Sequence, residues 1–224
     1  MRKNWLMMVV LVVVATCTSG AMADWMDNFT GTAGSALNAA WVPTTIGQLD
    51  GSGFAYRKAS GFTYRALGEP AADVILEFTF KTVGTVAGSV GIIGLGDTEV
   101  DNYTQVEIRT AAGTAADELK FVYNKDGTYY TMKTVSITQD TLYDVRIAAA
   151  TTASWWVTEY KESSSSTWIS GGGSTYVSGV DRAFMAFFSS GDVRVDKIGS
   201  VPEPVTLGIL AVGGILALVR RRRR

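Results

Sequence analysis

The stretch "DVILEFTFK", residues 73–81, alternates apolar and polar side chains with a period of two. Val74, Leu76, Phe78 and Phe80 point one way, while Glu77, Thr79 and Lys81 are among those pointing the other. Successive side chains of an extended chain leave on opposite sides, so this is a strand with one buried face. The pattern then recurs. "GSVGIIGLG" (88–96) is apolar on both sides and suits an inner strand. "NYTQVEIRT", "ELKFVYN", "TYYTMKTVSI", "LYDVRIAAA", "ASWWVTEYK", "RAFMAFFSS" and "DVRVDKIGS" follow, separated by turn signals such as "NKDG", whose Asp-Gly favours a tight hairpin. No stretch of this region repeats with helical period. Many short strands joined by turns predict an all-β chain, an antiparallel β-sandwich of jelly-roll type.

The approach to this region is looser. "DNFTGTAGSALNAAWVPTTIG" (27–47) reads as an edge strand and a long loop, pinned to the core by Phe29, Leu37 and Trp41. "GFAYRKASGFTYRAL" reads as a strand pair around Tyr56 and Tyr64. "ESSSSTWISGGGSTYVSG" (162–179) is dominated by Ser and Gly and reads as a mobile surface loop with Trp168 in its midst.

The ends differ from the middle. Arg2 and Lys3, the apolar "WLMMVVLVVVA" and the small-x-small "AMA" of Ala21 to Ala23 form a secretory signal over residues 1–23, with cleavage leaving Asp24 first. The single cysteine, Cys17, is discarded with it. The mature chain thus has neither cysteine nor histidine, which excludes disulfides, thiol nucleophiles, Cys/His zinc sites and Ser-His-Asp triads. Between Asp24 and Ser200 there are 13 basic and 20 acidic residues, a net charge of −7. A surface of that sign repels polyanions, so nucleic acid is not an expected partner.

At the other end, residues 201–224 read "VPEPVTLGILAVGGILALVRRRRR". Each proline fixes its own backbone and pushes the preceding residue toward an extended form, so Val201, Pro202, Glu203 and Pro204 make a stiff, carboxylate-bearing segment. Residues 205–219 carry no charge; as a helix they span about 22 Å, short of the ~30 Å hydrocarbon core unless the bilayer thins or flanking residues snorkel. Arg220, Arg221, Arg222, Arg223 and Arg224 resist crossing and anchor the cytoplasmic side. The predicted organisation is therefore a signal peptide (1–23), a β-sandwich domain (24–200) and a C-terminal segment with a single transmembrane helix (201–224).

Two resemblances follow from these residues. The proline-flanked glutamate, the apolar helix and the terminal arginines resemble the PEP-CTERM sorting signal. That resemblance implies recognition and cleavage by an exosortase, a membrane-anchored precursor, delivery to the cell surface or extracellular matrix, and a setting of biofilm exopolysaccharide. The middle of the chain, with its opening Asp-x-Phe-x-Gly and its closing "VRVDKIGSV", resembles concanavalin A-like and laminin-G-like jelly-roll domains. Such domains often bind carbohydrate, and some relatives cleave it.

Candidate sites are few. Asp97, Glu99 and Asp101 alternate like the start of a calcium loop, but the loop's glycine is absent and Ile108 stands where its last glutamate belongs. The same stretch partly resembles the Glu-x-Asp-x-Glu strand of family 16 glycoside hydrolases, with Tyr103 in place of the second catalytic glutamate. Glu107 is too far along to replace it. The expectation is a domain that is not an enzyme and needs no cofactor, with calcium the one candidate ion. Aromatic rings are the stronger lead: Trp155 and Trp156 point to opposite faces, and Trp168 lies in the Ser/Gly segment, so each is a candidate for stacking on sugar. The expected function is an exported, exosortase-processed surface or matrix protein that engages exopolysaccharide. A degenerate glycoside hydrolase on the same fold and a purely structural matrix protein are the alternatives.

Overall fold

The computed structural model describes residues 25–67, 73–84, 87–97, 102–111, 115–150, 155–174, 179–188 and 192–201. The signal peptide with its cleavage site, and Pro202 to Arg224 with the proposed transmembrane helix, lie outside the described residues. Among those described, no helix is long and apolar enough to cross a membrane. Trp25–Val201 form one compact unit.

The described residues of this unit form fourteen strands: β1 (Trp25–Asp27), β2 (Gly47–Leu49), β3 (Ala55–Arg57), β4 (Gly61–Ala66), β5 (Asp73–Thr82), β6 (Val90–Gly96), β7 (Tyr103–Arg109), β8 (Asp117–Lys125), β9 (Thr128–Ile137), β10 (Tyr143–Ala150), β11 (Trp155–Glu162), β12 (Ile169–Ser174), β13 (Arg182–Phe188) and β14 (Val193–Val201). They form two sheets. The eight-stranded sheet runs β12-β11-β10-β5-β14-β3-β2, with β1 also paired to β14; the six-stranded sheet runs β4-β13-β6-β7-β8-β9. Every pairing is antiparallel.

The period-two pattern settles what lies between the sheets. Val74, Leu76, Phe78 and Phe80 of β5 are buried, as are Val145 and Ile147 of β10 beside them. From the other sheet come Ile93 and Leu95, Val106 and Ile108, Leu119 and Phe121, Met185 and Phe187, all at most 2% exposed. β6 is indeed an inner strand, between β13 and β7. The β8–β9 hairpin turns through Asp126 and Gly127, both at positive φ (51° and 76°), the backbone that a two-residue type I′ turn demands. β14 carries a bulge between Val195 and Lys197, which lets Val195 and Ile198 both face inward although they are three positions apart.

The N-terminal segment is tied down as its residues suggest. Phe29, Leu37 and Trp41 are buried. The Trp41 indole N–H donates to Asp27 Oδ2 at 3.1 Å, and its ring meets Trp25 edge to face at 5.8 Å.

Two sequence expectations are corrected. β3 and β4 are not a strand pair; they belong to different sheets, so the turn between them carries the chain from one layer to the other. The Ser/Gly segment is not all loop either. Ile169–Ser174 form the edge strand β12, whose glycines permit close approach: a Cβ on Gly171 would lie 2.6 Å from the Phe121 ring, and one on Gly172 2.8 Å from Met132. Here glycine signals a packed edge rather than freedom.

β14 ends at Val201, still paired with Ile75, and Trp25 pairs with Ser200. The domain therefore runs up to the first residue of the proline motif with no spacer. A chain cut after Val201 should keep the melting temperature of the intact domain. One cut after Val195 loses the residues that pair with β1 and most of those that pair with β5, and should show no cooperative transition by circular dichroism.

Candidate functional site

β10 and β11 place their odd-numbered and even-numbered residues, respectively, toward the core, so Asp144, Arg146, Glu159 and Lys161 stand on the outer face of the eight-stranded sheet. The register makes pairs of opposite charge: Arg146 Nε bonds Glu159 Oε2, and Lys161 Nζ lies 3.2 Å from Asp144 Oδ2. The segment after β11 folds back over them. Trp168 lies with its ring 4.4 Å from the Arg146 guanidinium carbon and 5.3 Å from Lys161 Nζ. Stacking on cations fixes the ring while leaving it half-exposed.

Trp168 forms one wall of a cavity of about 220 Å³, with Met26 of β1 also at its rim and Glu77, Thr79, Asp144, Lys161 and Lys197 among its lining. Burial pushes the Asp144 carboxyl up, but hydrogen bonds from Thr79 (2.7 Å), Ser163 (2.9 Å) and Lys161 outweigh it and hold the group ionised, below the usual carboxylate range. Asp196, in the β14 bulge, shifts the opposite way, through burial and the nearby Asp144 charge. The result is one flat ring beside an ordered floor of hydrogen-bonding groups of both signs. Such a site can hold a polar ligand that has an apolar face.

The three candidate tryptophans are not brought together. Trp155 is half-exposed, on the outer face at the far end of β11, six residues or about 20 Å of extended chain from Lys161. Trp156 is corrected as a stacking residue: strand alternation turns it into the core, where it is 2% exposed. Asp97 Oδ2 accepts from the Asn102 side-chain amide at 3.2 Å, whereas Glu99 and Asp101 lie outside the described residues. Among the described residues no three acidic, His or Cys side chains are grouped to hold a metal ion.

A cluster that the sequence reading passed over sits on the outer face of the six-stranded sheet. Glu107 of β7 is 4% exposed, and both its oxygens are engaged. Oε1 accepts from Gln105 Nε2 (3.0 Å) and from the Tyr129 hydroxyl; Oε2 accepts from Arg109 Nε (3.2 Å) and Nη2 (2.7 Å). Lys120 Nζ adds a hydrogen bond to the Tyr129 oxygen at 3.1 Å. Burial pushes the Glu107 carboxyl up, but the donated hydrogen bonds and the charges of Arg109 and Lys120 outweigh it and hold the carboxyl low. Burial and the Glu107 charge push the Tyr129 phenol well up. Glu107 is thus a fixed acceptor rather than a proton donor. Its signal in the sequence was the Gln-x-Glu-x-Arg spacing, which puts three polar groups on one side of a strand.

The fold defines the class: a two-sheet antiparallel β-sandwich of jelly-roll kind. No family model and no curated protein matches the chain. Among solved structures it resembles a GH43 protein from Bacillus licheniformis, with a TM-score of 0.59 at 12% identity over 80% of this chain and 39% of that one. It also resembles a xylan β-1,4-xylosidase from Bacillus halodurans (0.58, 10%, 78% and 38%) and the CBM2 module of an evolved Dit protein from Lactobacillus casei BL23 phage J-1 (0.51, 11%, 79% and 93%). The chain spans about two-fifths of the length of the hydrolases it matches. These neighbours correct the expectation that the domain is not an enzyme, because the fold is shared with several glycoside hydrolases.

The Glu107 cluster sets a pH dependence. A carboxyl held low contributes stability that is complete above its unfolded value near 4.3 and is lost as pH falls from there through the folded value. Glu107→Gln should therefore flatten the acid limb of a stability-versus-pH curve below about pH 4. Tyr129→Phe leaves Glu107 one donor short and should cost about 1–3 kcal/mol at pH 7 in urea denaturation.

Proposed function

We propose that this chain is an exported, exosortase-processed protein of the cell surface or extracellular matrix, whose β-sandwich engages carbohydrate at the Trp168 cavity. The observation that carries the carbohydrate reading is the Trp168 ring, fixed on Arg146 beside a polar floor and still half-exposed. A sugar offers such a site a flat C–H face for the ring and hydroxyls for the floor. The neighbours named as glycoside hydrolases and as a CBM2 module support the same class of ligand. The sorting reading rests on the proline motif, the uncharged run and the arginines.

A glycoside hydrolase is a second reading, favoured by the hydrolase neighbours. Release of reducing sugar from xylan by the purified domain, abolished by Glu99→Gln, would establish it.

The binding test compares Trp168→Ala and Trp156→Ala against soluble neutral polysaccharide. Losing an exposed stacked ring should weaken affinity several-fold, about 1 kcal/mol, with little change in melting. Trp156→Ala should instead destabilise the domain by about 3–5 kcal/mol. Undiminished affinity of Trp168→Ala sinks the carbohydrate reading at this cavity. For sorting, Glu203→Ala should leave the precursor in the inner membrane; surface-located protein that retains Arg224 by mass spectrometry refutes processing.

A further inference from the structure

At the end of the sandwich where β11 begins, a second, open pocket of about 480 Å³ is lined from both sheets. Tyr123, Trp155, Trp156, Val157, Gly173 and Ser174 line it. Its construction differs from that of the Trp168 cavity. Among the described residues, none that lines it is charged. Tyr123 of β8 lies flat against Tyr130 of β9, ring centroids 4.8 Å apart and planes 11° from parallel, and Tyr130 is 41% exposed. Gly173 adds no side chain to the opening; a Cβ there would meet the Trp156 carbonyl at 2.8 Å, so the position is closed to other residues by the close approach of β11 and β12.

We propose that this mouth is a second carbohydrate subsite, independent of Trp168, and that the domain therefore holds neutral polysaccharide at two places. The chemistry selects the ligand. Uncharged, ring-lined walls give nothing to an ionic group, and the domain's net charge of −7 disfavours an acidic polymer. The Trp155 indole N–H and the hydroxyls of Tyr123 and Tyr130, set among flat rings, suit a pyranose chain, which presents apolar faces and hydroxyl edges in alternation. The two subsites sit toward opposite ends of β11, about 20 Å apart along the strand. Two sites on one rigid body bind a single long polymer with avidity, or join two polymers.

This inference extends the carbohydrate reading to a new place, and its test separates the two. The domain ending at Val201 is titrated calorimetrically with xylotriose and with cellotriose, each short enough to occupy one subsite at a time. The wild type should bind two molecules per chain. Trp155→Ala and Trp168→Ala should each bind one, and the double variant none. Tyr130→Ala, which alters an exposed ring, should also leave one site while keeping the melting temperature. Long xylan should bind the wild type about 100-fold or more tighter than the trisaccharide, an excess absent from either single variant.

A wild-type stoichiometry of one that is lost in Trp168→Ala and retained in Trp155→Ala removes the mouth and leaves the proposed function intact. The reverse pattern keeps the mouth and removes the Trp168 site. Binding of neither trisaccharide overturns both. Concentration-dependent dimerisation abolished by Trp155→Ala would show that the mouth receives a second copy of the chain, and would also overturn the proposal.

Discussion

A strand can commit only every second side chain to a core, and nearly everything distinctive here follows from that parity. Two sheets close on each other by spending one set of positions: Leu76, Phe78, Ile147 and Val195 from one, Ile93, Val106, Phe121 and Met185 from the other. The remaining set is left to face outward whatever its chemistry. Adjacent tryptophans thus meet opposite fates, Trp156 as core and Trp155 as surface, and no packing choice could have kept both inside. The outer faces are consequently where the charged residues and a few half-exposed rings of this molecule stand.

Those faces are organised rather than merely solvated. On the eight-stranded sheet, opposite charges stand in register across β10 and β11, and an aromatic ring lies over them. On the six-stranded sheet, one glutamate gathers donors from β7 and β9 until its acceptor capacity is filled. A half-exposed ion pair contributes little to stability. Such pairs do immobilise long side chains, and an immobilised surface loses less entropy when a ligand docks on it. Pre-ordering is the property these two arrangements share.

Much of the architecture was legible because alternation is a local signal. β5, the inner strand β6 and the Asp126–Gly127 hairpin follow from a few neighbouring residues. What escaped were features that depend on partners distant in sequence. The Ser/Gly segment looks like a loop unless one knows that Phe121 and Met132 press on its glycines. β3 and β4 look like a hairpin unless one knows that each finds a different sheet. For the candidate sites, Trp168 was visible as an unusual residue in a polar segment, but its seat on Arg146 was not. Glu107 was weighed only against a catalytic spacing along one strand. Its actual role is set by Tyr129, 22 residues away on another strand.

The position of β14 has a mechanical consequence. The strand by which the chain leaves the domain is not a free edge: it is laddered to β5 on one side and to β1 and β3 on the other. Hydrogen bonds in an antiparallel ladder lie across the strands. Tension applied at Val201 along the strand therefore loads those rungs together, in shear, and none can open ahead of the rest. An exit from β12 or β2, at the borders of the same sheet, would have let the same pull peel the fold apart one rung at a time. The exit strand is thus the part of the sheet that best resists a pull along its own axis.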